Sequence, residues 1–494
     1  MKDYHKVQKD RIKYHTQPHK NTVHRSSLIA PELPYVDTWI GFVNHFLIKR
    51  NYKSVALKIS AVNNNGDLLD SITLEIKEPK VYSINLSNLF KAFKAKNYLV
   101  EFFSEKNLFI PFPAVIISHQ GKDFCNVVHS YNRIINDIFE DDQINKNQVS
   151  ESSLDVNISS KYDTFFNLSS GISSIDKKPL FLSYEKNNQK LTKKIQISIP
   201  RLSYKSFSLS KIFKKKLEGG TIKITQPKQN LFFGRLFAGI INRRTKAFCA
   251  NHSYYDVSKN KEYFSSSQSY RTYPYFTNSV NKITMYPIFS PSILDIRLKV
   301  FDGKNSFISP KFKFSSSSKS PLTINVNEFV NSKKLKNVTA FTVLAISSNK
   351  KIPTRVNHQL VYGQKTNINP LNCSINVSLY NEKMFVPKKK TGFAWGQFIN
   401  NKNYNSKIGF CFGSTEKKSD VLRIDFYNSN GKFKSVKKTL NPKESLIFDA
   451  KEIIKKSDQI EFCWYIAKCS RPDLTAYSVH GNISSGNFSG EHNF

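Results

Sequence analysis

Histidine recurs four times at comparable places in this 494-residue chain, at His129, His252, His358 and His480. Two of the four sit in closely similar segments, F-C-N-V-V-H-S-Y ending at Tyr131 and F-C-A-N-H-S-Y ending at Tyr254. A third, N-H-Q-L-V-Y ending at Tyr362, keeps part of the pattern, and V-H-G-N around His480 keeps least. A histidine with a neighbouring serine and tyrosine offers a titratable donor or acceptor, a hydroxyl and an aromatic face suited to a sugar ring. The candidate ligand-binding set is therefore His129, Tyr131, Arg133, His252, Tyr254, His358, Tyr362 and His480. The competing reading is structural: each imidazole closes a strand by bonding a backbone carbonyl, and the tyrosine packs at a corner. A feature present in every copy more often builds the copy than performs one reaction, so the structural reading takes precedence.

As a catalytic set these residues are poorly arranged. Adjacent side chains of an extended chain point to opposite faces, so His129–Ser130 or His252–Ser253 cannot share a proton. No G-x-S-x-G elbow, P-loop or G-x-G-x-x-G is present. Metal ligation needs several side chains converging on one centre, which the repeated histidines would do only if the copies packed around an axis. His5, His15, His19 and His24 are unevenly spaced in a polar segment, so no metal and no cofactor are expected.

The second candidate chemistry is electrostatic. The formal net charge is +38, from 75 Lys and Arg against 37 Asp and Glu. Lysine far outnumbers arginine, and Asn, Ile, Phe, Tyr and Ser are abundant, as in an AT-rich coding sequence. Glutamate also has AT-rich codons, so its scarcity leaves part of the excess as a property of the protein. A field this positive attracts nucleic acid, anionic glycan or acidic headgroups. Three runs are the candidate contacts: Lys214, Lys215, Lys216; Arg243, Arg244; and Lys388, Lys389, Lys390. No RNP-type, KH or helix-turn-helix signature accompanies them.

The elements that must position these residues repeat about four times, at a period of roughly 105 to 125 residues, which suits one small domain each rather than a solenoid. Each copy has an alternating strand, a Gly or Asn turn, a proline, and a segment ending in large apolar residues: S-I-N-L-S-N-L-F, S-F-S-L-S-K-I-F, T-I-N-V-N-E-F-V and S-L-I-F-D-A-K-E-I-I. Period two on both sides of Asn63–Gly66 predicts a hairpin. Ile134, Ile135, Ile138 and Phe139 fall at helical spacing and predict a short amphipathic helix.

The expected architecture is all-β: a tandem array of about four immunoglobulin-like or jelly-roll-like β-sandwich modules with short helical connections. The expected divisions are a basic arm at 1–34, modules at 35–140, 161–256, 271–363 and 370–480, linkers at 141–160 and 257–270, and a tail at 481–494. Phe393 to Phe412 has no evident counterpart in the third copy. Six cysteines without a C-x-x-C pair read as buried, reduced thiols. No run of eighteen apolar residues and no signal-peptide pattern is seen, which points to a cytoplasmic protein or one peripheral to the cell envelope. The expected function is non-catalytic binding or scaffolding for an anionic polymer such as an envelope glycan. The alternatives are a sequence-nonspecific nucleic-acid or virion structural protein, and a glycan-modifying enzyme with His129 or His252 as base. Oligomerisation is left open.

Overall fold

Alternation dictates the first hairpin. Val55, Leu57 and Ile59 stand opposite Ile76, Leu74 and Ile72 across the Asn63–Gly66 turn, and Gly66 supplies the positive φ (83°) that the turn needs. The structure, a computed structural model, describes residues 25–105, 110, 113–129, 133–134, 151–227, 231–232, 235–253, 262–286, 293–303, 305–314, 321–364, 371–381, 391–413, 418–455 and 461–494. The chain falls into two compact units, one over residues 8–256 and the other over 257–494.

The first unit holds two sandwiches. The first is built from β1 (Arg25–Pro31), β2 (Asp37–Val43), β3 (Val55–Val62), β4 (Leu68–Ile76), β5 (Val81–Asn85), β6 (Asn97–Ser104), β7 (Ile116–Gln120) and β8 (Cys125–His129). Its sheets run β1-β6-β3-β4 and β5-β2-β7-β8. A short strand, β9 (Arg133–Ile134), extends the first sheet beyond β1. The second sandwich comprises β10 (Glu151–Ile158), β11 (Tyr162–Ser169), β12 (Ile175–Lys186), β13 (Gln189–Ile199), β14 (Tyr204–Ser208), β15 (Leu217–Thr225), β17 (Phe237–Asn242) and β18 (Phe248–His252), with β16 (Leu231–Phe232) crossing to pair with β9. Its sheets run β10-β15-β12-β13 and β14-β11-β17-β18.

The second unit repeats this plan. Its first sandwich has β20 (Gln268–Pro274), β21 (Ser279–Met285), β22 (Leu294–Asp302), β23 (Asn305–Ile308), β25 (Leu322–Asn325), β26 (Ala340–Ser347), β28 (Asn357–Gln364) and β29 (Cys373–Ser378). The small strands β19 (Tyr263–Phe264), β24 (Phe312–Phe314) and β27 (Ile352–Pro353) flank it. Its last sandwich has β30 (Gly392–Phe398), β31 (Tyr404–Phe412), β32 (Asp420–Asn428), β33 (Gly431–Leu440), β34 (Leu446–Asp449), β35 (Cys463–Cys469), β36 (Leu474–Asn482) and β37 (Phe488–His492). In all four sandwiches the strand order is first-sixth-third-fourth in one sheet and fifth-second-seventh-eighth in the other. The chain is thus all-β and multi-module.

Among the described residues helices are confined to single turns and short connections. A first helix, α1 (His45–Arg50), follows β2, and each fifth strand ends in a helical turn: α2 (Leu86–Leu89), α3 (Leu209–Phe213), α4 (Val326–Ser332) and α5 (Ala450–Ile453). In three of these four turns the preceding polar residue caps the turn: Asn85 accepts from the Asn88 amide at 3.0 Å, Ser208 from Lys211 at 3.3 Å and Asp449 from Lys451 at 3.2 Å, whereas Asn325 makes no such bond. The apolar residues of the repeat are then delivered inward, with Phe213, Val330 and Ile453 all buried. Among the described residues no helix is long and apolar enough to cross a membrane.

Each core lies between its two sheets. In the second sandwich Phe166, Leu168, Leu180, Leu182, Ile222 and Ile224 pack together, and in the last Phe410, Leu422, Ile424, Phe426 and Tyr465 do the same. Phe42 on one sheet of the first sandwich meets Phe102 on the other edge-on at 5.2 Å. All six cysteines are described, buried and outside any disulfide.

Several expected boundaries move. Strand β1 lies inside the segment 1–34 read as an arm, β10 inside the linker 141–160, β20 begins within 257–270, β29 lies past 363, and β37 lies in the tail 481–494. These are first and eighth strands, and sequences such as R-S-S-L-I-A-P and F-S-G-E-H carry no period-two signal. Phe393–Phe412 does have a counterpart: β30 and β31 answer to β20 and β21. Arg133–Ile134 is a strand against β1 rather than part of a helix, and the rest of that expected helix lies outside the described residues.

Candidate polyanion-binding site

The four repeated histidines do not occupy one repeated position. His129 and His252 end the eighth strands β8 and β18, whereas His358 and His480 sit in the seventh strands β28 and β36. His129 stands opposite Ile116, His252 opposite Phe237, and His492 opposite Tyr477, so the last sandwich's counterpart of His129 is His492. His480 corresponds instead to His119, each lying three residues further along the seventh strand. Only the register to the preceding strand reveals this, and no sequence spacing encodes it.

His358 and His480 are packing groups. His358 is fully buried, with Nε2 at 2.7 Å from the Tyr273 hydroxyl and Nδ1 at 3.3 Å from the Val356 carbonyl. A neutral ring protonated on Nδ1 satisfies both contacts. Burial pushes its pKa down to about 4. His480 is buried too, its Nδ1 at 2.7 Å from Ser406 Oγ, and burial lowers its pKa to about 4. That serine–histidine pair is closed to substrate, because Ser406 is fully buried and its oxygen also accepts from the Ile399 amide at 2.8 Å. Tyr362 is buried and donates to the Pro274 carbonyl at 2.9 Å.

His129 and His252 do come together. Their rings lie 4.5 Å apart at 76°, both buried, where β8 of one sandwich faces β18 of the next. Arg235 Nη1 is 3.4 Å from His252 Nδ1, and Asn126 Oδ1 accepts from the Ala250 amide at 2.7 Å across the same junction. These imidazoles therefore join two sandwiches rather than face a sugar. Arg133 lies in β9, where Leu28 is its partner in register, and Tyr131 and Tyr254 lie outside the described residues.

The basic runs fare differently. Arg243 and Arg244 occupy the turn between β17 and β18, which Asn242 organises by accepting from the Arg244 and Thr245 amides at 3.0 and 3.1 Å. Arg243 Nε donates to the Tyr162 carbonyl at 3.0 Å, its amide donates to the Lys161 carbonyl at 2.9 Å, and Lys246 Nζ donates to the Arg243 carbonyl at 2.6 Å. Lys161 lies over the Tyr162 ring at 5.5 Å. Four cations, Lys161, Arg243, Arg244 and Lys246, thus share one corner, and Lys161, Arg244 and Lys246 are exposed. The nearest carboxylate there, Asp163, is buried, accepts from Ser208, Ser210 and the Ser210 amide, and reaches Arg243 only at 3.9 Å. Sequence reading found the two arginines and missed Lys161 and Lys246, which the turn brings in.

Lys214, Lys215 and Lys216 follow α3 and are exposed, with Lys216 paired to Glu218 at 3.2 Å. Lys388, Lys389 and Lys390 lie outside the described residues. In the second unit cross-strand register builds a row that sequence reading missed: Phe393, Lys468, Arg423 and Lys437 stand side by side across β30, β35, β32 and β33. Lys468 covers the Phe393 ring at 5.1 Å, and Asp425 sits 3.4 Å from Arg423. Other cations are consumed internally. Arg471 is bound to Asp473 at 2.7 Å, and Arg271 is buried against the rings of Tyr380, Tyr477 and Tyr273 at 4.2, 5.6 and 5.7 Å.

No family model matches the chain, and no curated protein matches it. Among solved structures it is similar to a calcium binding mutant of Bacteroides uniformis beta-glucuronidase 2, with 11% identity and a TM-score of 0.12 over 51% of this chain and 28% of that one. The match spans little more than a quarter of that protein's length, and a likeness this weak carries no argument about activity.

Proposed function

We propose that the chain is a non-catalytic, multi-module β-sandwich protein that binds an anionic glycan through basic turns. The observation that carries this reading is the corner of Lys161, Arg243, Arg244 and Lys246, where main-chain carbonyls hold Arg243 Nε and Lys246 Nζ and the buried Asp163 carboxylate reaches Arg243 only at 3.9 Å. Arg243 and Lys246, fixed in this way, lose little further freedom when a carboxylate or sulfate arrives, and the Tyr162 ring lies beside them under Lys161. Single-stranded nucleic acid is read by successive exposed rings. Among the described residues the exposed aromatics Tyr35, Phe93, Phe181 and Phe433 are scattered instead. The burial of His129 and His252 disfavours either as a general base.

Binding of the full chain to a sulfated polysaccharide, a polyuronate, neutral dextran and a single-stranded oligonucleotide, at 50 and 200 mM salt, tests the reading. Four contacts at the single-strand slope predict a loss on the order of fiftyfold in affinity across that range. Arg244→Glu with Lys246→Glu should lower affinity and flatten the salt slope by about 1.4. Equal binding of dextran, or full affinity in the double variant, overturns the proposal. Preference for the oligonucleotide moves it to nucleic acid.

A further inference from the structure

Strands β35, β32 and β33 of the last sandwich set Lys468 directly opposite Arg423, and Arg423 directly opposite Lys437. All three lie on the outer face, since Leu422 and Ile424 between them turn into the core. Like charges placed directly across a sheet destabilise it. Among the described residues no other strand pair sets two like charges opposite each other. In the first sandwich Lys58 stands opposite Glu101, and in the second Lys190 stands opposite Glu185 and pairs with it at 3.1 Å. In the third, Lys299 lies between Thr342 and Ile308. The row in the last sandwich is only partly compensated. Asp425 is buried, accepts from the Ser435 hydroxyl at 2.6 Å and reaches Arg423 Nε at 3.4 Å, and the Arg423 side chain remains 52% exposed. Lys468 and Lys437 have no carboxylate partner among the described residues. Neighbouring strands lie about 4.8 Å apart, so the three cations form a line spanning about 10 Å.

We propose that Lys468, Arg423 and Lys437 form a second binding site, taking a linear acidic glycan that runs across the strands with two or more of its charged groups on the row. An anionic chain laid there turns the repulsion between neighbours into shared attraction, so the energy the sheet gives up in the free protein is recovered on binding. A line of cations, rather than a cluster about one point, suits a chain of charges. Phe393 continues the row on β30, but Lys468 lies over its ring at 5.1 Å, so no bare ring is offered for a base to stack on. The flanking pair, Val421 and Thr439, is exposed and offers one apolar and one hydroxyl contact, as the edge of a sugar requires. The ligand class rests on the polyanion reading above, but the site shares no residue with the corner of Lys161, Arg243, Arg244 and Lys246.

Calorimetric titration of the full chain, treated with nuclease, with a size-defined oligouronate tests this. The expected stoichiometry is two oligomers per chain, falling to one in Arg244→Glu with Lys246→Glu, to one in Lys437→Glu with Lys468→Glu, and to none when all four are changed. In the Arg244→Glu, Lys246→Glu background the remaining site should lose about twentyfold in affinity between 50 and 200 mM salt, for three contacts at the single-strand slope. Lys437→Glu alone places an acid opposite Arg423, so without ligand it should raise the urea midpoint while it weakens binding. A lysine with only a structural role would not give that opposed pair of effects. If Arg244→Glu with Lys246→Glu abolishes all binding, this proposal is overturned and the first site stands. If only Lys437→Glu with Lys468→Glu abolishes it, the first site fails and this one stands. A lowered midpoint with unchanged binding in Lys437→Glu also overturns it, as does a single-stranded oligonucleotide that outcompetes the oligouronate in the Arg244→Glu, Lys246→Glu background.

Discussion

Acidification from pH 7.5 to 5 should weaken the unit of residues 257–494 through two buried imidazoles. His358 and His480 are both held neutral by burial, with pKa values pushed down to about 4. In the unfolded chain each returns to about 6.5. Their neutral form is favoured only when folded, so the full contribution is present above pH 6.5 and is lost as pH falls toward 4. At pH 5 each imidazole contributes about 2 kcal/mol less stability than at pH 7.5, and the pair about 4 kcal/mol. That is a large share of the roughly 5–15 kcal/mol of a typical domain. Urea unfolding followed by tryptophan fluorescence measures it, since Trp395 and Trp464 lie in this unit and Trp39→Phe removes the signal of the other. The expected result is a clear fall in midpoint at pH 5, and a much smaller fall when His358 and His480 are both glutamine. An unchanged midpoint, or a double variant that keeps the full pH dependence, would refute the claim that these rings are buried and neutral.

Other expectations are independent of it. In the unit of residues 8–256, His119 at about 4 and His45 at about 3, both lowered by burial, give a parallel acid sensitivity that Trp39 fluorescence reports. Asp473→Ala strands Arg471 in the last sandwich and should cost about 3–5 kcal/mol by urea titration. Gly239→Ala sets a methyl 2.0 Å from the Cys249 carbonyl oxygen on the neighbouring strand, so the unit of residues 8–256 should lose about 1–3 kcal/mol or fail to fold. Ellman titration at pH 8 should find all six thiols unreactive in the native protein and reactive in denaturant, because burial raises the pKa of Cys125 and Cys411 to about 12.

The parts of the fold legible in the sequence are those whose signal is local. The Asn63–Gly66 hairpin follows from alternation and a glycine, and the large apolar residues that end each repeated segment mark where the fifth strands close. First and eighth strands were illegible because their burial is set by partners far along the chain. Ser26 and Ser27, for instance, are fully buried polar residues in β1. The candidate site divides in the same way. Arg243 and Arg244 are adjacent and easily seen, whereas Lys161 joins them only through the pairing of Tyr162 with Asn242. His480 falls at the sequence spacing of His129 but at the register of His119, because a shift between the seventh and eighth strands leaves spacing nearly intact.

The pairing of first strand with sixth has a consequence for how this protein is made. Arg25 meets Phe103, and Gly392 meets Cys469, so each opening strand must wait for most of its module to emerge. At ribosomal speeds of about 5–20 residues per second, that wait is on the order of 4 to 16 s. Throughout it the nascent third and fourth strands have only each other. Loop closure over such a span is slow, and collapse of one half-made sheet onto another is the characteristic hazard of the interval. Strands β13 and β33 place Lys193, Lys434 and Lys438 on the inner side of their sheets, opposite Leu182, Phe426 and Leu422, and inward charges of this kind discourage edge-to-edge pairing of such hairpins.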